Sequence, residues 1–251
     1  MSFKDYFSTQ AVDYAKYRPD YPNELYDFII EHTCNRDTAW DCATGNGQVA
    51  IALAPHFKLI VASDASDKQI RSAIPNQRVS YRVAPAENSG LPEQCADLIT
   101  VGQAIHWFDF DAFYKEVKRV AAPDAFLVVF GYGGHTVSED VDEVNFWFYD
   151  TLLGRYWPKE RRYIDDEYRT VPFPFEEEQA PKLAIIKQLN AYELMGYLST
   201  WSSVQQYIKV NGANPLDLVE ADLLGAWGEP LTVRQVSWPL YIKAGYISPP
   251  T

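Results

Sequence analysis

Across residues 36–132, short apolar runs alternate with stretches whose apolar positions recur every three or four residues. Residues 38–42, 58–63, 78–83, 96–101 and 125–132 read as five strands. The last is an unbroken apolar run, as expected of a strand covered on both faces. Phe110, Phe113, Tyr114, Val117, Val120 and Ala121 fall on one helical face, and Pro123 closes that helix. Another helix is expected at 49–54. Five strands separated by helices predict βαβ units and a mainly parallel sheet, so the fold class is α/β.

The flanks read differently. Residues 8–33 are predicted helical, with Pro22 in a first turn and Leu25, Phe28 and Ile29 along one face. Residues 138–180 lack strand alternation, hold Pro158, Pro172 and Pro174, and end near the acidic run 176–178, expected to be a solvated face. Residues 182–190 and 233–243 supply a sixth and a seventh strand. Two helices are expected between them, the later starting at an Asn214-Pro215 cap and burying Leu216, Val219, Leu223 and Trp227. The expected organisation is one domain over 1–251. It has a helical cap at 1–33, a cofactor-binding core at 34–135, a lid-like insertion at 136–181 and closing strands and helices at 182–251.

Composition narrows the function. The 251 residues are 47% hydrophobic, enough for a sizeable core, and no apolar run approaches the roughly 18 to 20 residues of a membrane span. Lys and Arg number 22 against 34 Asp and Glu, a net charge of −12, which argues against binding a phosphate backbone. Cys34, Cys42 and Cys95 have no metal-ligand spacing and read as buried free thiols. With no signal-peptide layout at 1–5, a cytoplasmic protein is expected, monomeric or homodimeric, without metal, membrane or nucleic acid.

The stretch Asp41-Cys42-Ala43-Thr44-Gly45-Asn46-Gly47-Gln48 carries the chemistry. Small residues at a strand-to-helix turn let a ligand approach unpaired backbone N–H groups. The next strand ends in Asp64, where a carboxylate can accept both hydroxyls of a ribose. A nicotinamide site wants G-x-G-x-x-G, which this turn does not give. A carboxylate at Asp41 repels phosphate and attracts an ammonium. An ammonium near Asp41 and a ribose on Asp64 describe S-adenosylmethionine rather than NAD.

The segment resembles the glycine-rich first motif of class I S-adenosylmethionine-dependent methyltransferases, D/E-x-G-x-G-x-G. Asp41, Gly45 and Gly47 match it, and Ala43 replaces its first glycine, tolerable if the Ala43 φ is negative. The run 86–92 resembles the family's adenine-contacting loop, and 97–108 its fourth strand and active-site edge. Val117, Arg119, Val120 and Pro123 resemble the next helix and turn, with Asp124-Ala125 replacing a usual Gly-Gly. The runs 14–22 and 199–203 resemble the subgroup around trans-aconitate methyltransferase, which methylates small molecules, carboxylates among them. Pro85 stands where the family often has an adenine-binding Asp, which shifts adenine recognition to Glu87 and the Ala86 backbone.

The resemblance implies a Rossmann-like sheet of seven strands and a cofactor site built from Tyr14, Arg18, Asp41, Ala43, Thr44, Gly45, Gly47, Asp64, Ala65, Gln69, Ala86, Glu87, Gln103, Ala104 and Trp107. The cofactor is S-adenosylmethionine, leaving as S-adenosylhomocysteine. His106, just past the fourth strand, is the first candidate for a base or positioning group, and His135, past the fifth, a weaker one. Each also reads as a wall or loop histidine. Tyr6, Tyr17, Tyr132, Trp147, Tyr156 and Trp201 are candidates for an aromatic acceptor pocket, although simple packing explains most rings. Arg155, Arg161 and Arg162 are expected to pair with neighbouring acids. The leading reading is in-line methyl transfer to a small carboxylate or aromatic/hydroxyl acceptor. The alternatives are a protein that binds the cofactor without transferring methyl, and a methyltransferase acting on protein.

Overall fold

A computed structural model of the protein describes residues 19–248. Seven strands form one sheet: β1 (Thr38–Cys42), β2 (Leu59–Asp64), β3 (Val79–Val83), β4 (Ala96–Gly102), β5 (Ala121–Tyr132), β6 (Ala184–Leu189) and β7 (Arg234–Tyr246). Their order is β3-β2-β1-β4-β5-β7-β6. β7 runs antiparallel to both β5 and β6, and the β1–β2, β1–β4, β2–β3 and β4–β5 pairs are parallel. This is the expected mainly parallel, Rossmann-like sheet.

The central strands β1, β2, β4 and β5 read as apolar runs because both of their faces are covered. Successive side chains point to opposite faces. Ala39, Ile60, Ala62, Leu98, Phe126 and Val128 join a core on one face with Leu25, Phe28, Val49 and Leu53 from α1 (Asn23–Glu31) and α2 (Gln48–Leu53). Trp40, Val61, Ile99, Leu127 and Val129 join a core on the other with Phe113, Val117 and Val120 from α4 (Phe110–Val120). A short α3 (Asp67–Arg71) follows β2, capped by Ser66.

Several boundaries differ from expectation for local reasons. β5 starts four residues early, at Ala121, because Ala121 pairs with Ala96; the register then shifts before Leu98 meets Phe126, and the left-handed Asp124 (φ +61) lies in that irregular stretch. Pro22 lies just outside α1 rather than in its first turn. The Asn214 side chain accepts the Leu216 N–H, closing a tight 3-10 turn (Pro215–Leu218). The predicted helix therefore begins only at Glu220, and three α-helices separate β6 from β7: α7 (Ala191–Ser199), α8 (Ser202–Asn211) and α9 (Glu220–Trp227). Residues 138–183 contain α5 (Glu139–Phe146), a wider turn at Trp147–Leu152, 3-10 turns, α6 (Arg162–Asp165) and irregular chain. The acidic run 176–178 is exposed. Of the cysteines only Cys42 is buried; Cys34 is exposed and Cys95 intermediate. No helix among the described residues is long and apolar enough to cross a membrane.

Candidate functional site

At the carboxyl end of β1 the chain turns sharply through Ala43 (φ +54), Gly45 (φ +58) and Gly47 (φ +91). Ala43 thus has a positive φ, contrary to the condition set from sequence, and a Cβ in that region costs roughly 1–2 kcal/mol. A Cβ on Gly47 would lie 2.2 Å from the Tyr81 hydroxyl, so Gly47 is fixed by packing as well as by φ. Gly45 N–H donates to Asp64 Oδ2 (2.9 Å), and Ser66 N–H donates to Asp64 Oδ1 (2.8 Å). The Asp64 carboxylate therefore joins the glycine turn to the start of α3.

Asp41 lies beneath this turn, 1% exposed. Its carboxylate accepts from the Thr44 hydroxyl, the Thr100 hydroxyl (2.8 Å) and the Ala50 N–H (3.1 Å). Burial pushes its pKa up to about 6 against the pull of those three bonds. Asp41 is thus a group that pins β1, β4, the turn and α2 together, with its charge at the floor of the ligand wall.

A cavity of about 780 Å³ lies at the carboxyl ends of β1, β2, β4 and β5. Of the predicted cofactor set it is lined by Asp41, Ala43, Thr44, Gly45, Asp64, Ala65, Gln69, Ala86, Glu87, Gln103, Ala104 and Trp107. Gly47 stands behind it, against Tyr81. Tyr6, Tyr14, Tyr17 and Arg18 lie outside the described residues. Glu87 Oε1 accepts the Asp109 N–H (3.0 Å), tying the loop after β3 to the start of α4. Pro85 also lines the cavity.

The acceptor candidates separate. Tyr132 lines the cavity, 6.2 Å from the Tyr21 ring. Trp147, Tyr156 and Trp201 do not. Trp201 is buried among Phe148, Tyr149, Trp157, Tyr197 and His135. Tyr156 packs on Tyr207 and bonds Asn211, and Trp147 is 44% exposed. Neither histidine reaches the cavity wall. His106 Nδ1 is 3.2 Å from the Tyr168 hydroxyl, and burial, with a smaller push from Arg161, holds its pKa down to about 3. His135 Nε2 faces Asn145 Nδ2 at 3.1 Å, and burial holds it down to about 4. Arg161 pairs with Asp165 as expected (3.3 Å), while Arg155 and Arg162 lie over the rings of Tyr156 and Tyr163.

Sequence reasoning missed Tyr21, Ser66, Phe108, Asp109, Lys159 and Glu160 as lining residues. Asp109 carried a local signal, because it caps α4 through the Ala112 N–H. Lys159 and Glu160 carried none, since only tertiary packing brings the segment after Pro158 to the cavity. Among the described residues the wall holds Asp41, Asp64, Glu87, Asp109 and Glu160 against one cation, Lys159, a field that favours a cationic ligand. No group of acids, cysteines and histidines among the described residues is arranged to hold a metal.

Known proteins place this arrangement. Residues 40–129 match the family described as a methyltransferase domain. A candidate methyltransferase of Dictyostelium discoideum is 34% identical over 249 residues, covering 96% of this chain and 94% of that protein. A methyltransferase of Aspergillus candidus, cfoB, is 26% identical, covering 68% and 62%. The solved structure of a candidate type II methyltransferase from Anaeromyxobacter dehalogenans is 42% identical and superposes with a TM-score of 0.86, covering 92% of this chain and 99% of that one. With near full-length similarity, the same sheet and a glycine turn tied to Asp64, this chain belongs to the class I S-adenosylmethionine-dependent methyltransferases.

Proposed function

We propose that the cavity binds S-adenosylmethionine and that the protein transfers its methyl group, in line, to a small uncharged aromatic or hydroxyl-bearing acceptor. The observation that carries this reading is the join between Gly45 and Asp64: a left-handed glycine whose N–H meets the carboxylate at the end of the adjacent strand, on the wall of one cavity. That donor and acceptor set suits a ribose beside Asp64, and the five carboxylates on the wall suit a sulfonium and an ammonium.

When bound, the cofactor supplies a methyl group already activated on sulfur. This chain supplies alignment and exclusion of water. Asp64 holds the ribose, Ala86 and Glu87 flank the adenine, and Tyr21, Trp107, Phe108 and Tyr132 wall the cavity with rings. The same carboxylates disfavour a polycarboxylate acceptor, and the rings favour an aromatic one. Imidazoles held at about 3 and about 4 are weak bases at neutral pH, so His106 and His135 take packing roles behind the cavity in this reading.

Calorimetric titration with S-adenosylmethionine, S-adenosylhomocysteine and NAD tests it. Micromolar binding of the first two and none of NAD is expected. Asp64→Ala, which removes two or more hydrogen bonds to a charged acceptor, should weaken both by about a hundredfold or more. Unchanged affinity in that variant would remove the ribose assignment. A turnover screen pairing phenols with di- and tricarboxylates then decides the acceptor class, and activity confined to the carboxylates would overturn that part.

A further inference from the structure

Where β4 ends, the chain passes through Gln103 in the left-handed region (φ +55), a conformation that a side chain makes costly. Gln103 N–H donates to the Phe130 carbonyl at 2.7 Å. Its side chain then doubles back along β5. Nε2 donates to the Tyr132 carbonyl (2.9 Å), and Oε1 accepts the Tyr132 N–H (2.7 Å). The orientation of the amide is forced, because a peptide N–H only donates and a peptide carbonyl only accepts.

The side chain therefore acts as one more rung of sheet, beyond the last backbone pair of β4 and β5 at Gly102 and Phe130. Gly131 makes room for it. A Cβ there would lie 2.7 Å from Gln103 Oε1 and 2.6 Å from the hydroxyl of Tyr168, the residue that bonds His106. Tyr168 is itself left-handed (φ +61) and fully buried. Gln103, Ala104 and Tyr132 all line the cavity.

We propose that Gln103 is a positioning residue: its amide clamps the Tyr132 peptide, and so fixes the turn at the end of β4 and the Tyr132 wall in the geometry the cofactor needs. This rests on the cofactor reading above. It differs from the role implied by family resemblance, in which Gln103 touches the cofactor itself. The two roles diverge in Gln103→Glu. The carboxylate keeps an acceptor for the Tyr132 N–H but sets a second oxygen against the Tyr132 carbonyl with no proton between. Once protonated, the same group donates again. Proximity to the carbonyl raises the introduced carboxyl above the ordinary glutamate range. The clamp therefore returns as pH falls, whereas a direct amide contact with the ligand, using the second Nε2 hydrogen, would not.

Among the described residues, the ionisable groups around the cavity are Asp41 from β1, Asp64 from β2, Glu87 from the loop after β3, Tyr21 and Asp109 ahead of α1 and α4, Tyr132 from β5, and Lys159 and Glu160 from the insertion, with His106, Tyr168 and Arg161 behind the wall. Asp41, at about 6, titrates in wild type and variant alike and cancels in their ratio, while His106, at about 3, stays neutral throughout. The experiment measures the Kd of S-adenosylhomocysteine for wild type, Gln103→Glu and Gln103→Ala between pH 5 and 8, with melting temperatures alongside. Gln103→Ala should bind about tenfold more weakly at every pH. Gln103→Glu should match it at pH 8 and recover to within about threefold of wild type at pH 5. A ratio that stays flat with pH overturns the proposal, even if the melting temperature falls, because a merely structural role moves only the latter. Should Gln103→Ala fail to fold, the isosteric Gln103→Glu carries the test, with binding measured first at pH 5. Absence of binding by the wild type at every pH overturns the cofactor reading and this proposal with it.

Discussion

Replacing Asp41 with Asn should make the protein more stable at neutral pH and a poorer binder of its cofactor. Asp41 is fully buried, and its pKa is raised from 3.8 to about 6, chiefly by desolvation. A raised carboxyl keeps its proton in the native state at pH values where the unfolded chain has already lost it. Native stability therefore falls as pH climbs from about 4 to about 6. At about 1.4 kcal/mol per pH unit, the ionised group costs the native state about 3 kcal/mol above pH 6. Asn removes that cost. Its oxygen can replace Oδ2, which accepts from Thr44 and Ala50, and the Thr100 hydroxyl can turn to accept from the new NH₂. One N–H is then poorly matched, at about 1–2 kcal/mol. The net gain at pH 7.5 is about 1–2 kcal/mol, or roughly 2–8 °C in a domain of this size. At pH 4.5 the wild-type carboxyl is already neutral, so the variant should be no more stable there. Thermal melts of both proteins at pH 4.5, 6 and 7.5 read the difference and cancel all other titrations. A difference in melting temperature that does not change with pH would refute the desolvation argument. Calorimetry on the same samples should show weaker binding of the cationic cofactor, since the wall has lost a charge.

Ala43→Gly should relieve the left-handed alanine and, after the extra chain entropy of glycine, raise the melting temperature by up to about 4 °C; a fall would mean that the methyl packs favourably. Gly47→Ala drives a Cβ into the Tyr81 hydroxyl at φ +91 and should cost at least about 2 kcal/mol by urea unfolding, a cost that Tyr81→Phe only partly relieves. His106→Phe removes a histidine held at about 3. The unfolded chain takes up a proton below pH 6.5 while the native state does not, so wild-type stability falls as pH drops from 6.5 toward 3. The variant should lose less stability over that range, by up to about 3 kcal/mol at pH 4, and an identical acid slope would place the proton elsewhere.

The sheet was legible in the chain because its central strands β1, β2, β4 and β5 are buried on both faces, which writes an apolar run, because the edge strand β3 keeps an alternating pattern, and because Phe113, Val117 and Val120 keep one helical face under it. The glycine turn and Asp64 were legible because they depend on local backbone conformation and on the position of a strand end. Side-chain roles at the site were less so. Asp41 looks like a ligand group in sequence, but its partner Thr100 is 59 residues away and turns the carboxylate into a pin. His106 looks like a base, but Tyr168, 62 residues on, takes its Nδ1, and burial keeps the ring neutral.

The α/β sheet, the strand-end acids and the turn between them are thus written in the chain. Each of these follows from periodicity or from the local φ and ψ that a residue tolerates. Packing between distant segments, by contrast, sets which aromatic rings face the cavity and which, like Trp201, fill the core. It also decides that Lys159 and Glu160 from the insertion reach the cavity wall, and that the amide of Gln103 is spent on the Tyr132 peptide. Where a side chain points at a strand end depends on what packs against it from distant segments, and that contact leaves no local periodicity to read.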